Sequence, residues 1–312
     1  DGHPEAAASA LREAVGLEPD RADHRLALAR ALVAGGHDRE ALPYVNEVLR
    51  QAPVDGEANL VLARILRTTG ANTEAESAYY KAIFGRWAPD RFAGRQQARL
   101  ELVALYEETG DTARLRAALL ELSAAFPGDR TLQMHAADRL LAIGSVDEAA
   151  RVLRSAMERF ADPGDAPARL AMAEVRRGNA AAAYDIARRA LARDAQDAAA
   201  RAARDLAASV LSIDPSLPRL SGAERTRRTR RLLAEASNRL ESCDAAGTAG
   251  GPVTLPVAAR RWLGQPRADA DAGYALLEAL ARRLRERCPA PTDTDAIGLV
   301  LGRLIGEHRD AQ

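Results

Sequence analysis

The stretch Arg25–Pro53, RLALARALVAGGHDREALPYVNEVLRQAP, decides the fold. Leu28 and Leu32 stand about one helical turn apart, Gly36 interrupts, Val45, Val48 and Leu49 resume the spacing, and Pro53 closes the stretch. Apolar residues recurring at three and four positions mark an amphipathic helix. A glycine just past such a segment suits a left-handed cap, where a Cβ would be penalised. A proline is tolerated at the start of the next helix, because its missing N–H would have no partner there. The stretch therefore reads as helix, tight turn, helix, stop. Ala41 falls where the two helices cross, and a small residue there lets their backbones approach.

The same grammar recurs along the chain. Ala7, Ala41 and Ala75 are 34 residues apart, and Ala149 and Ala183 repeat the step. Gly36 and Gly70 are 34 apart, and Gly110, Gly144 and Gly178 continue at 34 each. The step from Gly70 to Gly110 is 40, so six residues are inserted there. Pro19, Pro53 and Pro127 end units, with Pro89 and Pro163 two residues late. A fixed period of this length means stacked helical hairpins, each burying its apolar face against the next.

The pattern resembles the tetratricopeptide repeat family, whose units read W-x2-L-G-x2-Y, then A-x3-F, then P. The second unit gives Arg25-x2-Leu28-Ala29-x2-Leu32, then Ala41-x3-Val45, then Pro53. The third gives Asn59-x2-Leu62-Ala63-x2-Leu66, then Ala75-x3-Tyr79; the fourth keeps Leu102 and Tyr106 but has Leu115 in place of the usual alanine. The leading Trp is absent throughout. The resemblance covers about residues 1 to 212 and implies an all-α, right-handed solenoid of about five hairpins plus an N-terminal half hairpin, residues 4 to 17. That half hairpin lacks its first helix, so either an upstream helix or a partner is expected to cover its open face.

For function the family implies a scaffold that binds other proteins, with the first helix of each hairpin lining a concave groove. By phase that groove carries an apolar row, Leu26, Leu60, Leu100, Met134 and Ala168. Beside it lie Arg30, Arg64 and Arg67, then Glu107, Glu108 and Asp138. The groove is thus expected to be basic towards the N-terminus, acidic in the middle and apolar along its floor, a surface for an extended or helical peptide. The alternative is that the apolar row only packs between hairpins. The carboxylate clamp of chaperone-binding members is not matched: its places hold Leu26, Arg30, Val61 and Glu57. Half of the twelve aromatics fall in residues 79 to 106, among them Tyr80, Trp87 and Phe92. They form either a partner hot spot or, as the inserted residues favour, a local core sealing the joint.

Beyond residue 212 the period is lost. Residues 213–312 read as a helical cap or bundle: a helix opened by the capping box Ser221-x-x-Glu224, a Gly-rich loop over 244–253, a short helix with Trp262, and helices over about 271–287 and 294–308. The run Arg225–Arg231 holds five arginines but no interleaved aromatics, so a solvated or acid-paired face is favoured over nucleic-acid or lipid contact. Cys243 and Cys288, the only cysteines, each end a helix on its apolar stripe. They are either bonded or buried as free thiols; the matched positions favour a disulfide and hence a periplasmic or otherwise oxidising location, with a cytoplasmic one as the alternative.

Composition narrows the function classes. Lys plus Arg and Asp plus Glu are 44 each, a net charge of zero, which argues against a globally basic nucleic-acid binder. Lys81 is the one lysine, and with the alanine excess this points to a GC-rich bacterial coding sequence. No apolar run approaches the length of a membrane span. No nucleotide, hydrolase or metalloprotease motif occurs, and His3, His24, His37, His135 and His308 lack metal-ligand spacing. The expectation is a non-enzymatic scaffold without cofactor or metal, binding a protein or peptide. A self-assembling structural subunit and an accessory domain of a larger membrane-anchored protein are the alternatives.

Overall fold

The structure, a computed structural model, describes residues 4–91, 93–245, 254–265, 269–288 and 295–306. Among them are sixteen α-helices, one short 3-10 turn and no strand, only an isolated bridge between Asp55 and Arg86. The all-α hairpin architecture is therefore as expected. The chain divides into two compact units, Asp1–Leu132 and Gln133–Gln312.

The first unit opens with α1 (Pro4–Leu17). It continues with the hairpins α2 (Ala22–Ala34) and α3 (Asp38–Gln51), α4 (Gly56–Thr68) and α5 (Asn72–Phe84), and α6 (Ala93–Thr109) and α7 (Thr112–Ala125). Each hairpin turns on its glycine. Gly36, Gly70 and Gly110 have φ of 76°, 77° and 70°, a region that costs an L side chain energy. The left-handed residue lets the next N–H reach back five residues: His37 donates to the Leu32 carbonyl, Ala71 to Leu66 and Asp111 to Tyr106. Gly36 donates to Val33, Gly70 to Arg67 and Gly110 to Glu107. This paired pattern satisfies helix-end carbonyls that would otherwise lack donors. Ala41 and Ala75 are fully buried at the crossings, beside Leu28, Leu32 and Val45. In α1 the packed residue is Ala8, while Ala7 is exposed. The 34-residue spacing pointed to Ala7, but the run Ala6-Ala7-Ala8 offers the same small side chain at every register, and packing on α2 selects the third.

The six extra residues are shared between a longer connection and a longer α6, 17 residues against 13 for α4. Trp87 fills the joint. It is 8% exposed, its indole N–H donates to the Ala82 carbonyl at 2.7 Å, and its ring lies flat against Gly56 and Gly94. A Cβ at Gly56 would stand 2.3 Å from Nε1, and one at Gly94 2.0 Å from Cζ3. The tryptophan fits because both neighbours are glycine. Trp87 is thus buried in the joint, with part of its ring lining the cavity described below.

In the second unit the hairpin grammar continues through α8 (Arg130–Ala142), α9 (Val146–Arg159), α10 (Ala166–Arg176), α11 (Ala180–Arg193) and α12 (Ala198–Ile213). Gly144 and Gly178, at φ 77° and 85°, repeat the same paired carbonyl bonds. Then come α13 (Gly222–Ala245), α14 (Thr254–Leu263), α15 (Ala270–Arg287) and α16 (Ala296–Gly306). The period ends near 212, but the core does not. Ala183, Val210 and Ile213 share one apolar cluster with Leu232, Leu233, Trp262, Leu277 and Leu304. Asp214, wholly buried, is paired with Arg303 of α16. Ser221 Oγ accepts from the Glu224 N–H at 3.2 Å, as the capping box requires, although the Glu224 carboxylate turns to Arg227 and Arg228. Of the Gly-rich loop expected over 244–253, residues 244 and 245 still belong to α13, and 246–253 lie outside the described residues.

The arginine run is largely used internally. Arg228 donates to the carbonyls of Leu211 and Asp214 at 2.7 and 3.0 Å. Arg230 donates to the Leu263 carbonyl at 2.7 Å and lies 4.9 Å over the Trp262 ring, a cation–π geometry. Cys243 and Cys288 are brought together, with Cα atoms 5.8 Å apart, a separation that a disulfide spans.

Candidate partner-binding surface

In the first unit a cavity of about 430 Å³ opens between α2, α4, the connection after α5, and α6. Arg30 comes from α2; Glu57, Leu60 and Arg64 come from α4; Trp87 and Arg91 come from the connection; Gln97 comes from α6. Its size lies within the roughly 300–1,000 Å³ of ordinary ligand sites. Three of the residues placed in the groove by phase, Arg30, Leu60 and Arg64, converge here. Leu26 and Leu60 are 8% and 5% exposed and Leu100 is half-buried, so most of the apolar row packs between helices.

The arginines do not wait unpaired for a ligand. Like charges on one wall repel unless something supplies the opposite sign, and here the first helix of the next hairpin does so. Arg30 Nη1 donates to Glu57 Oε1 at 2.7 Å, and Arg91 of the connection donates to the same oxygen. Arg64 chelates Glu101 on α6 through Nε and Nη2, at 3.0 and 2.7 Å. Arg67 holds Glu108 through Nε at 2.9 Å. Glu107 is half-buried beside it.

The pairs differ in how firmly they are held. Burial works against ionisation of Glu101, but hydrogen bonds from Arg64, Gln97 and Tyr79 outweigh it and keep its carboxyl below the ordinary range. Burial pushes the Tyr79 hydroxyl up to about 12, so it stays a donor to Glu101, at 3.2 Å. The hydrogen bond between Arg67 and Glu108 lowers the Glu108 carboxyl and raises the Arg67 guanidinium. Glu57 is met by two long arms whose side chains are 49% (Arg30) and 45% (Arg91) exposed, against 36% for Arg64. Exposed pairs of this kind are each worth only about 0.2–1 kcal/mol.

Of the remaining candidates, Tyr80 is half-buried and stacks on the exposed Phe84, with centroids 6.4 Å apart. Phe92 lies outside the described residues. In the second unit Met134 is 9% exposed, and Asp138 is exposed and bonded to Arg169 at 2.7 Å. Sequence reasoning missed Glu57 and Arg91 as members of the wall and Glu101 as the partner of Arg64. An acid about one repeat further along, on the next inner helix, is the signal that could have found the two glutamates. Among the described residues no group of three or more His, Cys, Asp or Glu side chains could hold a metal ion, and no helix is long and apolar enough to cross a membrane.

Comparison with known proteins agrees with the repeat reading. Residues 26–91, which carry most of the cavity wall, match the family profile described as tetratricopeptide repeat. Solved structures similar to this chain include YrrB, described as a TPR protein with an unusual peptide-binding site, at 16% identity and TM-score 0.44, covering 64% of this chain and 100% of that one. The TPR domain of P58(IPK) is 14% identical with TM-score 0.34, covering 100% of this chain and 95% of its own. The APC/C hetero-tetramer Cut9-Hcn1 is 18% identical with TM-score 0.39, covering 73% of this chain and 42% of that one. No curated protein sequence matches the chain.

Proposed function

We propose that this chain is a non-enzymatic interaction scaffold whose first unit captures a segment of a partner protein in the cavity between α2, α4 and α6. Tetratricopeptide repeats generally mediate protein–protein interactions. The observation that carries the reading to this place is the wall itself. Three guanidinium groups, Arg30, Arg64 and Arg91, line one cavity; Arg64 is chelated by Glu101, while Arg30 and Arg91 meet at the lining carboxylate of Glu57. Charge of this kind sets orientation and on-rate more than affinity.

The test is capture of native partners by the full chain and by the double variant Arg30→Gln, Arg91→Gln. Reversing Arg64 to glutamate would be a poor test, because it would set a second carboxylate against the largely buried Glu101. The double variant should fold as the parent does and lose its partners; undiminished capture would remove the cavity as the binding surface. A second reading, self-assembly, is favoured by Leu17, which is 78% exposed at the end of α1. Size measured across concentrations separates the two, since only an assembling subunit grows. We also propose that Cys243 and Cys288 are bonded and that the chain works in an oxidising, extracytoplasmic compartment, supported by their 5.8 Å Cα separation. Mass spectrometry of unreduced protein should then find no alkylatable thiol.

A further inference from the structure

Two acids pair with the arginines of the cavity: Glu57, which lines it, and Glu101, which does not. Glu101 is locked: Arg64 chelates it, Gln97 donates to it at 2.9 Å, Tyr79 donates at 3.2 Å, and its side chain is 14% exposed. Glu57 is different. It sits in the first turn of α4 and reaches across the cavity, and one of its oxygens takes both Arg30 and Arg91. Those two arginines come from elements on either side of α4, so the single carboxylate bridges the mouth. The Glu57 side chain is 18% exposed, hardly more than Glu101, but it accepts fewer bonds and its donors are half-exposed, so another carboxylate can compete for those donors. The donors are guanidiniums, which bind carboxylates in a planar, two-pronged geometry. Leu60, Val61 and the Trp87 ring line the same space and offer apolar contact next to the charge.

Building on the cavity as the capture surface, we propose that Glu57 is an internal stand-in for a partner's carboxylate. The cavity then takes an acidic peptide segment, whose Asp or Glu side chain displaces Glu57 from Arg30 and Arg91 while a neighbouring apolar side chain rests on Leu60 and Val61. Glu57 thereby acts as a competitor that weakens binding and rejects neutral segments, which gain nothing for breaking the two internal bonds. Specificity of this kind comes from a penalty that only the correct ligand offsets.

The experiment titrates full chain into a fluorescein-labelled peptide of alternating leucine and glutamate, and into its glutamine counterpart, following anisotropy. The parent should bind the acidic peptide better than the glutamine one, and less well as salt rises. Glu57→Gln removes the competitor and should bind the acidic peptide about threefold to tenfold tighter. Glu57→Asp keeps the charge in the first turn of α4 but is one methylene short of bridging both arginines, so it should fall between parent and Glu57→Gln. Equal or weaker binding by both variants overturns the inference. If both peptides bind alike and Glu57→Gln changes nothing, while Arg30→Gln, Arg91→Gln still abolishes partner capture, the cavity reading stands and the acidic partner falls. If neither peptide binds any variant and the double variant keeps its partners, both fall together.

Discussion

Trp87 and the two glycines that face it give the sharpest structural prediction. A Cβ added at Gly94 would lie 2.0 Å from Cζ3 of the ring, and one at Gly56 2.3 Å from Nε1. Contacts near 2 Å cannot be absorbed, so either the ring or α6 must move. The ring is pinned by its N–H bond to the Ala82 carbonyl at 2.7 Å and by glycine on both sides. Gly94→Ala should therefore cost about 1–3 kcal/mol through overpacking. Trp87→Ala should cost about 3–5 kcal/mol by leaving a cavity. The decisive variant is the pair. In the Trp87→Ala background the new methyl enters vacated space, so Gly94→Ala should add nothing or recover a little, a coupling of about 1–3 kcal/mol, as expected for residues in direct contact. Urea unfolding followed by circular dichroism measures all three. A harmless Gly94→Ala, or the same penalty with and without Trp87, would refute the wedge.

Other outcomes follow from the same contacts. The Glu101 carboxyl is lowered from its ordinary 4.5 in the folded chain, so its contribution is full above that pH and is lost as pH falls through the lower folded value. Glu101→Gln should be less stable than the parent at neutral pH and show a shallower decline below about pH 4.5 in acid titrations of melting temperature. Gly302, exposed within α16 with nothing within 4 Å of where an added Cβ would lie, should gain roughly 0.5–1 kcal/mol of stability as alanine; a loss would mean α16 is not regular there. Reducing a Cys243–Cys288 bond, which closes a loop with a sequence separation of 45, should cost about 4 kcal/mol on chain-entropy grounds, and unfolding curves unchanged by reductant would argue against it.

The hairpins were legible because their turns place a strict demand on the backbone. A left-handed residue capping a helix selects glycine, so Gly36, Gly70, Gly110, Gly144 and Gly178 print the period onto the sequence. The register of α1 was less legible, since three consecutive alanines can each serve as the packed residue and only the contact with α2 separates Ala8 from Ala7. The aromatic cluster was visible around the insertion, but the reason Trp87 fits was not. Gly56 and Gly94 lie 31 and 7 residues from it, and nothing in a sequence shows which glycines one ring will touch. The wall of the cavity was half legible. Phase placed Arg30, Leu60 and Arg64 together, yet their glutamate partners come from the next inner helix, 27 and 37 residues along. The six inserted residues account for six of the ten by which these offsets differ, and the remaining four are about one helical turn.

The claim that the cavity receives a partner is tested most directly by photo-crosslinking. A benzoylphenylalanine placed at Ala93, an exposed residue on the cavity rim, is compared with one at Ser77, exposed on α5 and outside the cavity lining. Illumination in a lysate of the source cells, followed by mass spectrometry of the joined peptides, identifies what touches each position. The account predicts a discrete acidic segment crosslinked at Ala93, absent at Ser77, and lost when Arg30 and Arg91 are changed to glutamine. Equal products at both positions, or a product at Ala93 that survives the double substitution, would contradict it.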